Sequence, residues 1–260
     1  MIKSCPICQS KREVCFNATI LRKYKVDFLY CETCGFLQSE TPYWLKEAYN
    51  NPISDADTGI LSRNIAISRK LACLLFFLFD KEGRYIDIAG GYGILTRLMR
   101  DAGFNFYWSD LYCKNIFAKG FEAVDDLRPF SAVTVFEVLE HIHDPLVFIE
   151  KALYEAGTST IIFSTELFEG KPPKPDNWWY YSLDAGQHIS FYQSRTLQKI
   201  ADRLSLQFYS NNNIHIITDK RLNKTCFRLM TSRFSHLVSY YLKYKMNSKT
   251  FNDHKMILNR

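Results

Sequence analysis

Asp87-Ile88-Ala89-Gly90-Gly91-Tyr92-Gly93 is the stretch on which the reading of this chain turns. Before it, Tyr85-Ile86-Asp87-Ile88 has the character of a buried strand. After it, Ile94, Leu95, Leu98 and Met99 recur at helical spacing, with Arg97, Arg100 and Asp101 on the opposite face and Gly103 as the stop. Glycines between a strand and a helix allow a sharp bend and let the backbone approach a ligand closely, although a tight turn also needs them for structural reasons. An acid, Asp110, closes the next strand 17 residues after Gly93. At that edge of a parallel sheet an acidic side chain can accept both hydroxyls of an adenosine ribose. The run lacks the GxGxxG spacing of a dinucleotide site. A pyrophosphate needs an open helix N-terminus, whereas a positively charged sulfonium prefers a nearby carboxylate such as Asp87.

Outward from this turn the pattern alternates. A helix is expected over 59–79 and strands over 104–109, 121–124, 132–139 and 158–165, with a weak helix over 112–119. Asp144-Pro145 starts a helix, Asp supplying a cap and Pro the first-turn geometry, and Gly157 stops it. Ser194 is expected to cap a further helix to about Leu204, followed by a strand pair at 206–209 and 214–218. Strands alternating with helices imply a parallel sheet. The rest is placed as a module at 1–42, a helical linker and cofactor lid at 43–80, the main domain at 81–220, and a basic, aromatic, helical extension at 221–260.

With 260 residues and 47% hydrophobic content the chain can bury one full core and carry a small accessory module. No secretory signal pattern is present, so the cytoplasm is the expected compartment. The longest apolar run, 71–79, is far below the ~20 residues of a membrane crossing and reads as a buried helix end. Net charge is +6, but the cations are scattered up to about Arg221, which does not favour nucleic acid as a partner.

Eight cysteines are many for such a compartment. Cys5-Pro6-Ile7-Cys8 and Cys31-Glu32-Thr33-Cys34-Gly35 are two CxxC knuckles with 22 residues between them. Two tight turns of this kind present four thiolates in a tetrahedral set, and four soft ligands select zinc or iron, with nothing here to suggest an iron-sulfur cluster. Such a site has no open position, so the metal is expected to be structural. The Gly35 that follows suits a left-handed backbone. Cys15, Cys73, Cys113 and Cys226 show no such pairing.

These motifs together resemble those of class I S-adenosylmethionine-dependent methyltransferases, over residues 85–218. The resemblance rests on 87–93, on Asp110 and on Phe136-Glu137-Val138-Leu139-Glu140-His141; the chain departs from the family at Ala89, where a glycine is usual. It implies an α/β fold with a doubly wound, mostly parallel, seven-stranded Rossmann-like sheet, preceded here by a small zinc-ribbon-like module. It implies S-adenosylmethionine as cofactor, held by Asp87, Ala89, Gly90, Gly91, Gly93 and Asp110, with Glu137 and Val138 beside its methionine part and Asp125 or Asp126 near the adenine. The cysteine knuckles ahead of such a domain are similar in layout to sugar C-methyltransferases and to methyltransferases of polysaccharide clusters.

Methyl transfer to a hydroxyl, or to carbon beside a ketone, also needs a proton acceptor, and a histidine suits that task. His188, in Gly186-Gln187-His188-Ile189-Ser190-Phe191-Tyr192, is the first candidate and His141 the second; loop anchoring and helix initiation are the structural alternatives. Trp178, Trp179, Tyr180 and Tyr181, with Gln187, offer flat walls to a sugar or nucleobase, or else pack a core. The expected acceptor is a small polar molecule, a sugar or nucleotide-sugar. RNA or protein methylation, and a non-catalytic cofactor-binding module whose tail at 227–245 docks a partner or membrane, are the alternatives.

Overall fold

The computed structural model describes residues 3–50, 53, 57–124 and 127–259. The N-terminal segment forms β1 (Lys3–Ser4), β2 (Lys11–Ile20), β3 (Tyr24–Tyr30) and β4 (Leu37–Ser39), an antiparallel meander. Two helices follow, α1 (Leu45–Ala48) and α2 (Ile60–Leu78). Then come β5 (Arg84–Ile88), α3 (Ile94–Asp101), β6 (Asn105–Ser109), β7 (Ala132–Phe136), α4 (Pro145–Ala156) and β8 (Thr160–Ser164). The chain ends with β9 (Ser190–Phe191), α5 (Ser194–Arg203), β10 (Gln207–Asn211), β11 (Ile214–Thr218), α6 (Lys224–Thr231), α7 (Ser235–Lys245) and α8 (Thr250–Leu258).

The main sheet has the order β10-β11-β8-β7-β5-β6. The four strands β5 to β8 run parallel, and β11 inserts antiparallel between β8 and β10. All five residues of β8 are buried, as a strand covered on both faces requires. Because β6 lies on one side of β5 and β7 on the other, the chain reverses its winding at the C-terminal end of β5, and a crevice opens there. Among the described residues this sheet has six strands. The seventh, expected over 121–124, is a single parallel bridge between Trp108 and Glu122.

Three local expectations give way to side-chain chemistry. No helix forms over 112–119: the Asp110 carboxylate accepts the Tyr112 and Cys113 amides, and Asn115 Oδ1 accepts the Ala118 amide, so short side chains take the donors a helix would use. Asp144 does not cap α4, since its carboxylate faces the His143 ring at 3.2 Å. Gln193, not Ser194, caps α5, in a reciprocal box with Thr196.

The N-terminal sheet is not a free appendage. β4 pairs with β9, so its last strand comes from the far end of the sequence. Ala18, Val26 and Phe28 bury against Tyr180, Tyr181 and Phe191 in one core. On the other side of the molecule, Leu71, Ala72, Cys73, Leu74 and Leu75 of α2 are buried with Phe227, Leu242 and Met246 of the C-terminal helices. Each fully buried leucine there contributes roughly 1.5–3 kcal/mol. Asp253 of α8 accepts from Arg100 at 2.6 and 2.8 Å and from Arg97 at 2.8 Å, which fastens α8 to α3.

Candidate functional site

A cavity of about 400 Å³ opens at the sheet's reversal point. Its floor is residues 87–92, its sides are Ser109 and Asp110 at the end of β6 and Phe136, Glu137 and Val138 at the end of β7, and Ile60, Arg63, Asn64 and Ile67 of α2 cover it. Three strand ends and one helix thus meet where an open α/β sheet places its ligands.

The floor is shaped by close approaches. A Cβ on Gly90 would lie 2.8 Å from the Trp108 ring and 2.9 Å from Asp87 Oδ2, so only glycine fits. Trp108 Nε1 also donates to the Gly91 carbonyl at 2.9 Å. A Cβ on Gly93 would meet Asn115 Oδ1 at 2.7 Å, and its φ of +84° is left-handed. Gly91, at φ +55°, has only Ile53 at 3.5 Å, so a side chain added there would enter the cavity. Ala89 adopts φ +55°, a conformation that costs an alanine roughly 1–2 kcal/mol. The usual glycine is therefore missing at a position whose backbone still has the glycine conformation.

Asp87 sits beneath this turn with Thr134 donating to it at 2.7 Å and Thr96 at 3.5 Å. Burial raises its pKa to about 7, so it organises the turn as much as it offers charge. Asp110 Oδ2 accepts the Gly91 amide at 2.9 Å while Oδ1 serves the following turn. Oδ2 therefore keeps one acceptor direction for a ribose hydroxyl. Glu137, at φ +55°, accepts from the Ser164 hydroxyl, and its own amide donates to that oxygen at 3.1 Å. Asp125 and Asp126 lie outside the described residues.

His141 lines the cavity, and His188 stands behind it with ring centroids 4.8 Å apart and planes at 89°. His188 Nδ1 bonds the Tyr180 carbonyl at 2.6 Å, which makes Nδ1 the protonated nitrogen and leaves Nε2 a lone pair. The His141 ring bonds the Gln187 backbone, and its Nδ1 has no partner among the described residues. Burial pulls His141 down to about 3 and His188 to about 4, so both are neutral at pH 7. Beside them Glu140 is fully buried, and neither carboxyl oxygen finds a well-aligned partner among the described residues, with the Tyr180 and Thr165 hydroxyls nearest. Burial, reinforced by Glu137, raises its pKa to about 8. Ligand atoms of Glu140, His141 and His188 lie within 4.8 Å of one another, close enough to share a proton or a cation.

The aromatic run is divided. Tyr180 and Tyr181 are core residues, Trp178 packs on Phe168 and Phe191, and Trp179 projects into solvent. None of the four, nor Gln187, lines the cavity; Gln187 Nε2 instead donates to the Ala48 carbonyl at 2.9 Å. The flat wall expected from these residues is a wedge between the N-terminal sheet and the main domain, because Val26 and Phe28 need apolar partners. Sequence reasoning missed Trp108, whose role follows from contact with a glycine, and Tyr49, which lines the cavity and stacks on Tyr112 at 5.4 Å. No local spacing marks either one.

About the cysteines, Cys5 and Cys34 Sγ lie 3.5 Å apart and Cys8 and Cys31 Sγ 3.4 Å, with all four sulfurs within 4.8 Å. Four sulfurs about 2.3 Å from one zinc ion would be about 3.8 Å apart, so the set fits. The Cys5 thiol is held down to about 5, chiefly by its bond to Cys34, whose own pKa is raised in return. Arg12 sits beside this cluster and offsets thiolate charge. Gly35, at φ +76°, carries the expected left-handed turn; a Cβ there would collide with Gln193 of the α5 cap. Arg203 donates to the Ile7 carbonyl at 2.9 Å and Thr196 to that of Cys34 at 2.7 Å, so α5 carries both knuckles.

No curated protein matches this sequence. Among solved structures it is similar to an O-methyltransferase family protein from Burkholderia thailandensis, at 10% identity and TM-score 0.47, covering 68% of this chain and 62% of that one. It is similar to TnmH at 14% identity and TM-score 0.45, covering 66% of this chain and 60% of that one. It is similar to the plantazolicin methyltransferase BpumL in complex with SAH, at 8% identity and TM-score 0.45, covering 66% and 94%. The chain thus spans about 60% of the length of TnmH. The family described as "Methyltransferase domain" matches residues 63–210, more than half of the sequence and all of the cavity's floor. The chain belongs to the methyltransferase domain family.

Proposed function

We propose that this protein transfers a methyl group from S-adenosylmethionine to a small polar acceptor, a sugar or nucleotide-sugar of a surface polysaccharide pathway. The single observation that carries the reading is the glycine floor, open only at Gly91 and edged by Asp87, Asp110 and Glu137, acidic groups matched to a cationic ligand. Bound there, the cofactor would supply an electrophilic methyl group on a sulfonium.

The chain's residues supply the rest. Gly90, Gly91 and Asp110 would hold the adenosyl part and Glu137 and Val138 the methionine part, while α2 excludes water above. His141 offers a neutral imidazole at the cavity wall. As the acceptor oxygen gains its bond to carbon and the bond from carbon to sulfur breaks, the hydroxyl becomes strongly acidic. A weakly basic imidazole therefore suffices to take its proton. His188 and Glu140 act behind His141 as positioning residues.

We also infer that Cys5, Cys8, Cys31 and Cys34 bind a structural zinc ion, supported by the spacing of their sulfurs. Incubation with S-adenosylmethionine and a panel of nucleotide-sugars, read by mass spectrometry, tests the acceptor. A methylated nucleotide-sugar is expected; methylation of RNA or protein alone would replace that acceptor class.

A further inference from the structure

The last forty residues carry nine lysines and arginines against one acid, Asp253, whereas residues 1–220 carry 24 against 26. That one acid is buried and spent on Arg97 and Arg100, so the outward charge of this end is positive throughout.

α7 has two apolar stripes. Val238, Leu242 and the following Met246 face inward, packing with α2. On the other side, Phe234, Leu237, Tyr240, Tyr241 and Tyr244 recur at three- and four-residue steps, 44%, 69%, 61%, 52% and 74% exposed. A helix that needs one apolar face to pack and shows a second to solvent has a second apolar environment to meet. Arg233, Lys243 and Lys245 border this stripe, Lys245 lying over the Tyr241 ring at 5.6 Å. Among the described residues no helix is long and apolar enough to cross a membrane, so the stripe is not part of a span.

We propose that α7, with the turn that leads into it, docks this protein flat on an anionic lipid bilayer. Tyrosines on an apolar stripe with lysines at its margin match the boundary between headgroups and acyl chains, and the segregated charge matches anionic lipid. A second copy is a poor occupant, because face-to-face pairing sets the cations Arg233, Lys243 and Lys245 of one copy among those of the other. A peptide is a poor one too, because a helix face is convex. Docking here would also anchor the cavity's cover, since α2 lines the cavity with residues 60–67 and packs beneath α6 and α7 with residues 71–75.

The test is flotation of the full chain with vesicles of phosphatidylcholine, and with vesicles of equal parts phosphatidylcholine and phosphatidylglycerol. At least about tenfold stronger partitioning onto the anionic vesicles is expected, weakening with salt. The double variant Lys243→Glu/Lys245→Glu should lose about tenfold or more, and Leu237→Ser/Tyr241→Ser/Tyr244→Ser should abolish flotation, both with the wild-type circular dichroism spectrum. Equal partitioning onto both vesicles, or none, overturns the proposal. So does a lipid-free dimer in light scattering that the triple serine variant dissolves, or tighter binding to an RNA oligonucleotide than to anionic vesicles.

Discussion

The two walls of the cavity differ in how their polar groups are satisfied. Under the glycine floor nearly every donor and acceptor is spoken for: Asp87 by Thr134 and Thr96, Asp110 by three backbone amides, Trp108 by the Gly91 carbonyl. At the opposite wall stands His141, and its Nδ1 and the Glu140 carboxyl behind it are buried without well-aligned partners among the described residues. A satisfied, rigid wall suits binding, where shape must be set before the ligand arrives. Uncompensated polar atoms destabilise a fold and persist where they serve something else, and the role proposed for them here is proton transfer. On the proposed function, affinity resides in the floor and turnover in the Glu140, His141 and His188 group.

The largest effect expected from breaking this division is at Gly91. Gly91→Arg fills the floor, and calorimetry should register no binding of S-adenosylhomocysteine; retained affinity would mean that the ligand lies elsewhere. His141→Gln should lower turnover by roughly 100- to 10,000-fold with cofactor affinity kept. His188→Ala should cost less and shift the pH profile, as expected of a positioning residue. A fall in affinity that matched the fall in turnover would dissolve the distinction between the walls.

Next in size is the cysteine cluster, which belongs to neither wall. Cys31→Ser or a strong chelator should release one zinc ion per chain and lower the melting temperature, because α5 and β9 lean on the knuckles. An unaltered melting temperature would exclude a structural metal.

Glu140 provides a proton-linked test. Its folded pKa is about 8 and its ordinary value 4.5, so between these values the unfolded chain releases a proton that the folded chain retains. Stability should fall as pH rises through that window, by up to about 1.4 kcal/mol per pH unit. Between about pH 7.5 and 8 the buried histidines His141, His188 and His215, whose ordinary value is 6.5, are mostly neutral in both states and Asp87, at about 7 in the fold, is mostly ionised, so the slope there is chiefly that of Glu140. Glu140→Gln should flatten the urea midpoint over this range, and an unchanged slope would show that Glu140 ionises normally.

The smallest effect is at Ala89. Ala89→Gly removes the left-handed strain and should raise stability by up to about 1 kcal/mol, the gain being trimmed by the entropy of glycine in the unfolded chain. A loss in urea unfolding would mean that the turn is unstrained.

What was legible in the sequence follows the same division. The floor is local: strand, glycines and helix lie within 87–99, and Asp110 is one strand away, so spacing alone pointed to them. The cysteine knuckles were legible for the same reason. The opposite wall is assembled from segments nearly fifty residues apart, and Glu140 was indistinguishable from a residue that starts a helix until His188 was brought beside it. Trp178 to Tyr181 show the converse, because an aromatic run has no mark that separates a pocket wall from a core. Only the pairing of β4 with β9 made those rings part of the interior.

The most direct measurement is isothermal titration of S-adenosylhomocysteine into folded, zinc-loaded protein. The account predicts saturable heat at one site per chain, lost in Gly91→Arg and kept in His141→Gln. No heat from the wild-type protein would contradict it.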